Sequence, residues 1–301
     1  MSVRAAIEQA ITEASAHAFS MRHQQPVGGG SINRAYRIES ANHRYFLKLN
    51  QADKLAMFEA EAAGLHELAA ANAIHVPEPI CFGAANGESW LVTEYIEFGR
   101  GVGASVRQFD RKFDRKFGRQ LADLHRKSAE QFGWFRDNTI GSTCQHNGQM
   151  DDWIDFYRER RLRFQFDLAA RNGFTASLHN KGERLMANLD AFFTAYRPKP
   201  SLLHGDLWSG NRAFDAAGQA VIFDPAVYYG DREADIAMTE LFGGFGADFY
   251  AGYNEVWPLD GGYEVRKNLY NLYHILNHAN LFGGGYVSQA ESMTSQLLAQ
   301  I

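Results

Sequence analysis

Three residues in the second half of the chain have types and a spacing that could do chemistry together. Asp206 follows His204-Gly205 after the apolar run SLL, Asn211 comes five positions later, and Asp224 closes the next apolar run, AVIF. Transfer of a phosphoryl group asks little covalent help of a protein. It needs a carboxylate that orients the attacking hydroxyl and takes its proton, and oxygen ligands for the magnesium that bridges the phosphates. Asp206 suits the first task, and Asn211 and Asp224 suit the second. Amide and carboxylate oxygens are hard donors fitted to Mg²⁺, whereas His and Cys would favour softer metals. An aspartate after a strand is, alone, most often a turn or cap residue, so the reading rests on the three together. His204 reads as a brace for the loop backbone rather than a participant.

Such a site requires a clamp for the nucleotide, and the N-terminal part offers one. Lys48 stands in YFLKL, an apolar setting where an unpaired cation is costly, and an acidic helix follows. Glu61 is its expected partner, with Glu59 the competitor. In the kinase arrangement such a lysine contacts ATP phosphates, a helix glutamate fixes it, and a glycine-rich turn covers the phosphates. The turn here is Gly28-Gly29-Gly30-Ser31-Ile32-Asn33. It lacks the third glycine of GxGxxG and gains weight from lying before a hairpin that bears Lys48. The other common phosphate clamp, GxxxxGKS or GxxxxGKT, occurs nowhere in the chain. The backbone of Glu94, Tyr95 and Ile96, in WLVTEYI, falls where a strand joining two lobes would meet adenine.

These residues need elements to hold them. Residues 3–18 space apolar side chains at helical intervals, 36–49 alternate as two strands around a polar turn, and 54–71 favour a helix. CFGA and WLVTEYI, separated by Asn86-Gly87, read as a second hairpin. Long helical patterns then cover about 107–131, 150–171 and 178–196, followed by the short strands SLLH and AVIF and helices to the end. The expected fold is α+β and bilobal, protein-kinase-like, with a small β-rich N-lobe at 1–95 that binds ATP and a larger, mainly helical C-lobe at 96–301 that carries the catalytic loop and substrate pocket. The densest basic stretch, Arg158 to Arg163, reads as a solvated helix face.

Composition narrows the partners. A net charge of −5 argues against the strongly basic face of a dedicated nucleic-acid binder. Cys81 and Cys144 lack the paired spacing of a zinc framework or disulfide scaffold and read as reduced thiols. No 18-residue apolar run is present and Arg4, Glu8 and Glu13 interrupt the N-terminal segment, so a soluble, cytoplasmic protein without membrane partners is expected.

The HGDxxxxN loop with a strand-final aspartate resembles the aminoglycoside phosphotransferase and choline kinase superfamily. More narrowly, GGGSINRAY at 28–36, DNTIGSTCQHNGQMDDWIDFYRERRL at 137–162, HGDLWSGNRAF at 204–214 and FDPAVYYGDREADIAMTELFGGF at 223–245 resemble the fructosamine kinase, or ketosamine-3-kinase, family. The resemblance spans nearly the whole chain. It implies ATP- and Mg²⁺-dependent phosphorylation of the 3-hydroxyl of a ketoamine, a fructosamine or ribulosamine carried by a small amine or a glycated protein, in deglycation. Some members of that family carry Cys in the glycine turn where this chain has Ser31.

The residues themselves weigh substrates a little. Residues 260–301 hold few acids but Tyr263, Tyr270, Tyr273, Phe282 and Tyr286, which suits a neutral sugar better than a polycation unless these rings form helix core. Trp208, two positions past Asp206, is placed as a platform on which a sugar could stack. A choline-type or aminoglycoside-type kinase is the alternative reading, and a catalytically inactive ATP-binding module is a further one, against which stand Lys48, Asp206, Asn211 and Asp224.

Overall fold

In the computed structural model, which describes residues 1–28, 32–99 and 110–301, the chain divides into two units. The first comprises Met1–Phe113 and Gly210–Pro225, the second Asp114–Ser209 and Ala226–Ile301.

The first unit starts with helix α1 (Val3–Ser15), capped by the Ser2 hydroxyl, which accepts from the Ala5 N–H. An antiparallel sheet follows, built of β1 (His23–Val27), β2 (Arg34–Glu39), β3 (Arg44–Gln51), β4 (Pro79–Ala85) and β5 (Glu88–Glu94) in the order β1-β2-β3-β5-β4. Helix α2 (Leu55–Ala69) lies between β3 and β4 in the chain. The β4–β5 turn works because Asn86 and Gly87 both take positive φ, 50° and 82°, which matches the twist of the flanking strands. Side chains alternate along a strand. Tyr45, Leu47 and Leu49 of β3 therefore pack with Ile7 and Ile11 of α1, while Leu91 of β5 packs on the other side with Phe58 and Ala62 of α2. Lys48, paired with Leu91 in register, falls on that second side, toward α2. Later in the chain, β9 (Arg212–Phe214) and β10 (Ala220–Ile222) form a hairpin. It joins this unit through the Ile222 N–H, which donates to the His75 carbonyl at 3.1 Å.

The second unit is mainly helical. Helix α3 (Asp110–His125) leads in, followed by the small hairpin β6 (Asn138–Ile140) and β7 (Thr143–Gln145). A continuous helical rod comes next: α4 (Trp153–Phe156), a π-helical segment at Tyr157–Leu162 and α5 (Arg163–Arg171). Helix α6 (Ala176–Met186) and β8 (Ser201–Leu203) follow, the latter pairing antiparallel with β11 (Tyr228–Gly230). Helices α7 (Glu233–Leu241), α8 (Ala247–Val256), α9 (Tyr263–Phe282) and α10 (Gly285–Leu298) complete the unit. Its centre is α9, which packs against α5, α7 and α10 and buries Leu269, Leu272, Ile275 and Leu276. Each such side chain contributes roughly 1.5–3 kcal/mol by leaving water.

The basic stretch departs from its expected solvated position at one residue. Arg161 is wholly buried, its Nη1 donating to the His146 carbonyl at 2.6 Å and its Nη2 to Asn147 Oδ1 at 2.7 Å. Its guanidinium also lies 4.0 Å from the Tyr228 ring centroid. Among the described residues no helix is long and apolar enough to cross a membrane.

Candidate active site

In the first unit one cation meets two carboxylates. Lys48 Nζ lies 2.5 Å from Glu61 Oε1 and 2.5 Å from Asp224 Oδ1. The alternation that puts Lys48 on the α2 side of the sheet explains the first contact, and Glu61 lies one helical turn from the buried Phe58. It is thus Glu61 that bonds Lys48. Lys48 is 6% exposed. Burial alone would lower the pKa of its ammonium, but Asp224 and Glu61 outweigh burial and hold it above its ordinary value, so Lys48 stays charged. Burial raises the Glu61 carboxyl, Lys48 pulls it back and Asp224 adds to the rise. Two carboxylates on one ammonium leave the group short of positive charge.

Asp224 sits just past β10 with φ +57°, a left-handed backbone that costs a non-glycine residue about 1–2 kcal/mol. Its side chain remains 46% exposed. Asn211, buried, is tied to the same stretch: its carbonyl accepts from the Phe223 N–H at 3.0 Å and its Nδ2 donates to the Asp224 carbonyl at 3.4 Å. An amide and a carboxylate are thereby brought together on neighbouring backbone.

Asp206 belongs to the second unit, half-buried, on a loop whose backbone is held from beneath. Gly205 has φ +82°, and a Cβ there would come within 2.0 Å of the Ala226 carbonyl oxygen, so no side chain fits. The Ala226 N–H donates to the His204 carbonyl at 2.8 Å. The buried carboxylate of Asp235 accepts from the His204 N–H at 2.7 Å and the Gly205 N–H at 2.8 Å, and it lies 3.2 Å from His125 Nε2. His125 in turn meets the Tyr253 hydroxyl at 2.8 Å through Nδ1. Burial would raise Asp235, yet His125, His204 and the Gly205 N–H outweigh it and hold the carboxyl below its ordinary range. The His204 ring is fully buried and its Nδ1 accepts from the Asp206 N–H at 3.3 Å.

Asp235 and His125 were not legible as site residues from spacing. The signal that could have found Asp235 is an acid inside the otherwise apolar ADIAM of α7, although an acid in the first turn of a helix also suits the helix dipole.

Trp208 is 37% exposed and meets Phe242 edge-on, 6.4 Å between centroids. His278 continues that line, 5.0 Å from Phe242 and 5.1 Å from Tyr286. Tyr263, Tyr270 and Tyr273 are buried, as helix core. The composition argument for a neutral sugar therefore loses those three rings. Of the glycine turn, Gly29, Gly30 and Ser31 lie outside the described residues, while Asn33 Oδ1 accepts from Asn50 Nδ2 at 2.6 Å. Beside Gly28, a Cβ would meet only open space. The Glu94 N–H donates to the Glu78 carbonyl at 2.8 Å, and the Tyr95 ring lies 5.7 Å from the Arg44 guanidinium.

The model of the fructosamine kinase family matches residues 3–300. The chain belongs to that family. Its sequence is 47% identical to a probable ketoamine kinase of Synechocystis sp. over 97% of this chain and 96% of the relative. It is 42% identical to the chloroplastic protein-ribulosamine 3-kinase of Oryza sativa subsp. japonica, over 91% of this chain and 78% of that one. Among solved structures, one named as a candidate fructosamine-3-kinase from Haemophilus somnus 129PT superposes with a TM-score of 0.86 at 30% identity, covering 97% of this chain and 96% of that one. An aminoglycoside phosphotransferase solved with ADP and hygromycin B gives 0.65 at 15% identity, with 98% of each chain covered, a likeness of fold alone. The fold is that of the kinase-like phosphotransferases, and as a member of the fructosamine kinase family the protein is a phosphotransferase enzyme.

Proposed function

We propose that the protein uses ATP and Mg²⁺ to phosphorylate a sugar hydroxyl, the 3-hydroxyl, of a fructosamine or ribulosamine, on a small amine or a glycated protein. The observation that carries the nucleotide part is the ammonium of Lys48 shared between Glu61 and Asp224. Glu61 holds Lys48 for the ATP phosphates, the turn Gly28, Gly29, Gly30, Ser31 and Asn33 covers them, and the backbone at Glu94, Tyr95 and Ile96 meets adenine. Asn211 and Asp224 would hold the magnesium. Their donor set fits, being hard oxygens on adjoining backbone beside a carboxylate pair that one lysine does not neutralise. Mg²⁺, when bound, draws charge from the phosphate oxygens.

Asp206 orients the acceptor hydroxyl and takes its proton as that oxygen bonds the γ-phosphorus and the bond from phosphorus to the bridging oxygen breaks, releasing ADP. Trp208, half-exposed two positions beyond, offers a face for the sugar ring. The names of the relatives, a ketoamine kinase and a ribulosamine 3-kinase, support the substrate class. The test is a panel of fructosamine and ribulosamine adducts of lysine and of a simple amine, with choline and kanamycin, each assayed with ATP. Ketoamines are expected to give the highest kcat/KM, with the sugar mattering more than the amine. Higher efficiency on choline or kanamycin would overturn the substrate.

A further inference from the structure

The β6–β7 hairpin bears side chains that phosphoryl transfer does not use. In its register Asn138 lies opposite Gln145 and Thr139 opposite Cys144, and successive side chains alternate between faces. One face is amide. Gln145 Nε2 donates to the Ala226 carbonyl at 3.0 Å, Asn138 Nδ2 to the Val227 carbonyl at 2.8 Å, and Asn147 Nδ2 to Asn138 Oδ1 at 2.9 Å. These bonds brace the segment that supports Gly205. The residues between them, Cys144 and His146, stand on the other face with Asp137, and the three donor atoms lie within 4.8 Å of one another.

The geometry within this group is close to a coordination shell. His146 Nδ1 is 2.8 Å from Asp137 Oδ2, and Cys144 Sγ is 3.9 Å from Nδ1 and 4.0 Å from Nε2 of the same ring. Donors bound tetrahedrally to zinc at ~2.0–2.3 Å stand roughly 3.3–3.8 Å apart, a spacing these distances bracket. The donors are also supported from behind. The second Asp137 oxygen accepts from the Asn147 N–H at 2.8 Å, the His146 carbonyl accepts from buried Arg161, and the His146 ring meets Phe164 edge-on at 5.1 Å. Such support orients ligands in known metal sites.

We propose that Asp137, Cys144 and His146 form a site for one zinc ion, with a fourth position open to water. A thiol, an imidazole and a carboxylate together select a borderline-soft divalent cation over Mg²⁺ or Ca²⁺. On binding, Cys144 releases its thiol proton to solvent as the sulfur–zinc bond forms, His146 binds as neutral imidazole, and zinc stays divalent. The ion would fix from outside the hairpin whose inner face holds Ala226.

The full-length protein, stripped of metal by a chelator, is titrated with Co²⁺ as a spectroscopic substitute. A sulfur-to-cobalt charge-transfer band with tetrahedral d–d bands is expected, saturating at one equivalent and bleached by Zn²⁺. Cys144→Ser removes the band, and Cys81→Ser, at the only other cysteine, keeps it. His146→Ala weakens zinc by more than about 10-fold. Cobalt bands without sulfur character, or a charge-transfer band that survives Cys144→Ser, overturn the site. If Cys144→Ser does not fold, as judged by its thermal melt, loss or persistence of the band in Asp137→Asn decides the matter.

Discussion

Asp224 and Asp206 are each set in place by a buried charged residue, but the two devices differ in kind. Lys48 holds Asp224 side chain to side chain, and the same ammonium serves Glu61. Asp235 holds the Asp206 loop through the backbone, by the N–H groups of His204 and Gly205. A charge-to-charge hold couples three residues, so changing one alters the others. A backbone hold leaves the side chain it positions replaceable.

The largest effect should fall where the backbone hold isolates the chemistry. Asp206→Asn is expected to lower kcat by roughly 10²–10⁴-fold while nucleotide affinity and Tm stay near wild type, since the loop keeps its bonds to Asp235. Near-normal turnover would remove Asp206 as the base, and a large fall in Tm would show that the loop depends on it. Asp224→Ala should behave differently. Turnover and Mg²⁺-nucleotide affinity both fall, by about 10²-fold, with less change in nucleotide affinity measured without metal. A magnesium titration identical to wild type would take Asp224 out of the site.

Asp235→Asn probes the backbone device directly. An amide cannot accept from both N–H groups as the carboxylate does, and each unmet buried donor costs about 1–3 kcal/mol, which a thermal melt would register. The charge device is tested by a double-mutant cycle: Lys48→Ala and Glu61→Ala should each weaken catalysis, with a coupling of about 0.5–3 kcal/mol between them. Additive losses would mean that the pair does not act as a unit. The smallest effect concerns another buried acid. Burial pushes Glu233 up to about 7 against the hydrogen bonds of Arg266. A carboxyl raised in the folded state stabilises below its ordinary range and loses that contribution as pH rises through the raised value. Tm of Glu233→Gln should therefore fall less than wild type between about pH 5 and pH 8.

Much of this was legible because polar residues interrupting apolar runs are conspicuous. Lys48 breaks YFLKL, and Asp206, Asn211 and Asp224 stand at or just beyond the ends of short strands. The hairpins were legible from alternation and from Asn86-Gly87, whose left-handed angles only a few residues accept. Asp235 stayed hidden because two of its partners are backbone N–H groups, which every sequence possesses, and the third, His125, is 110 residues away in the chain. The tyrosines of α9 misled because a helix buried on most sides shows rings at spacings that a ligand wall would share, and Tyr270 and Tyr273 turn into the core. Arg161 could not be read from charge pattern, since its burial follows from local winding.

That winding has a consequence for chain length. Over Tyr157–Leu162 the rod from Trp153 to Arg171 winds as a π-helix, which takes more residues per turn than the α-helix on either side. A π-helical turn holds about one residue more than the α-helical turn it replaces. Deleting a single residue there would therefore let the rod rewind as uniform α-helix with the parts on either side still in phase. A deletion in the flanking α-helix would instead turn all that follows by about 100° relative to what precedes. Arg161, inside the wide turn, is the residue whose contacts with Tyr228 and the His146 carbonyl such a deletion must spare. Deletions within Tyr157–Leu162 that spare Arg161 should therefore be tolerated better than deletions in Trp153–Phe156 or Arg163–Arg171, and a scan of single-residue deletions along the rod would show the smaller losses of folded protein there.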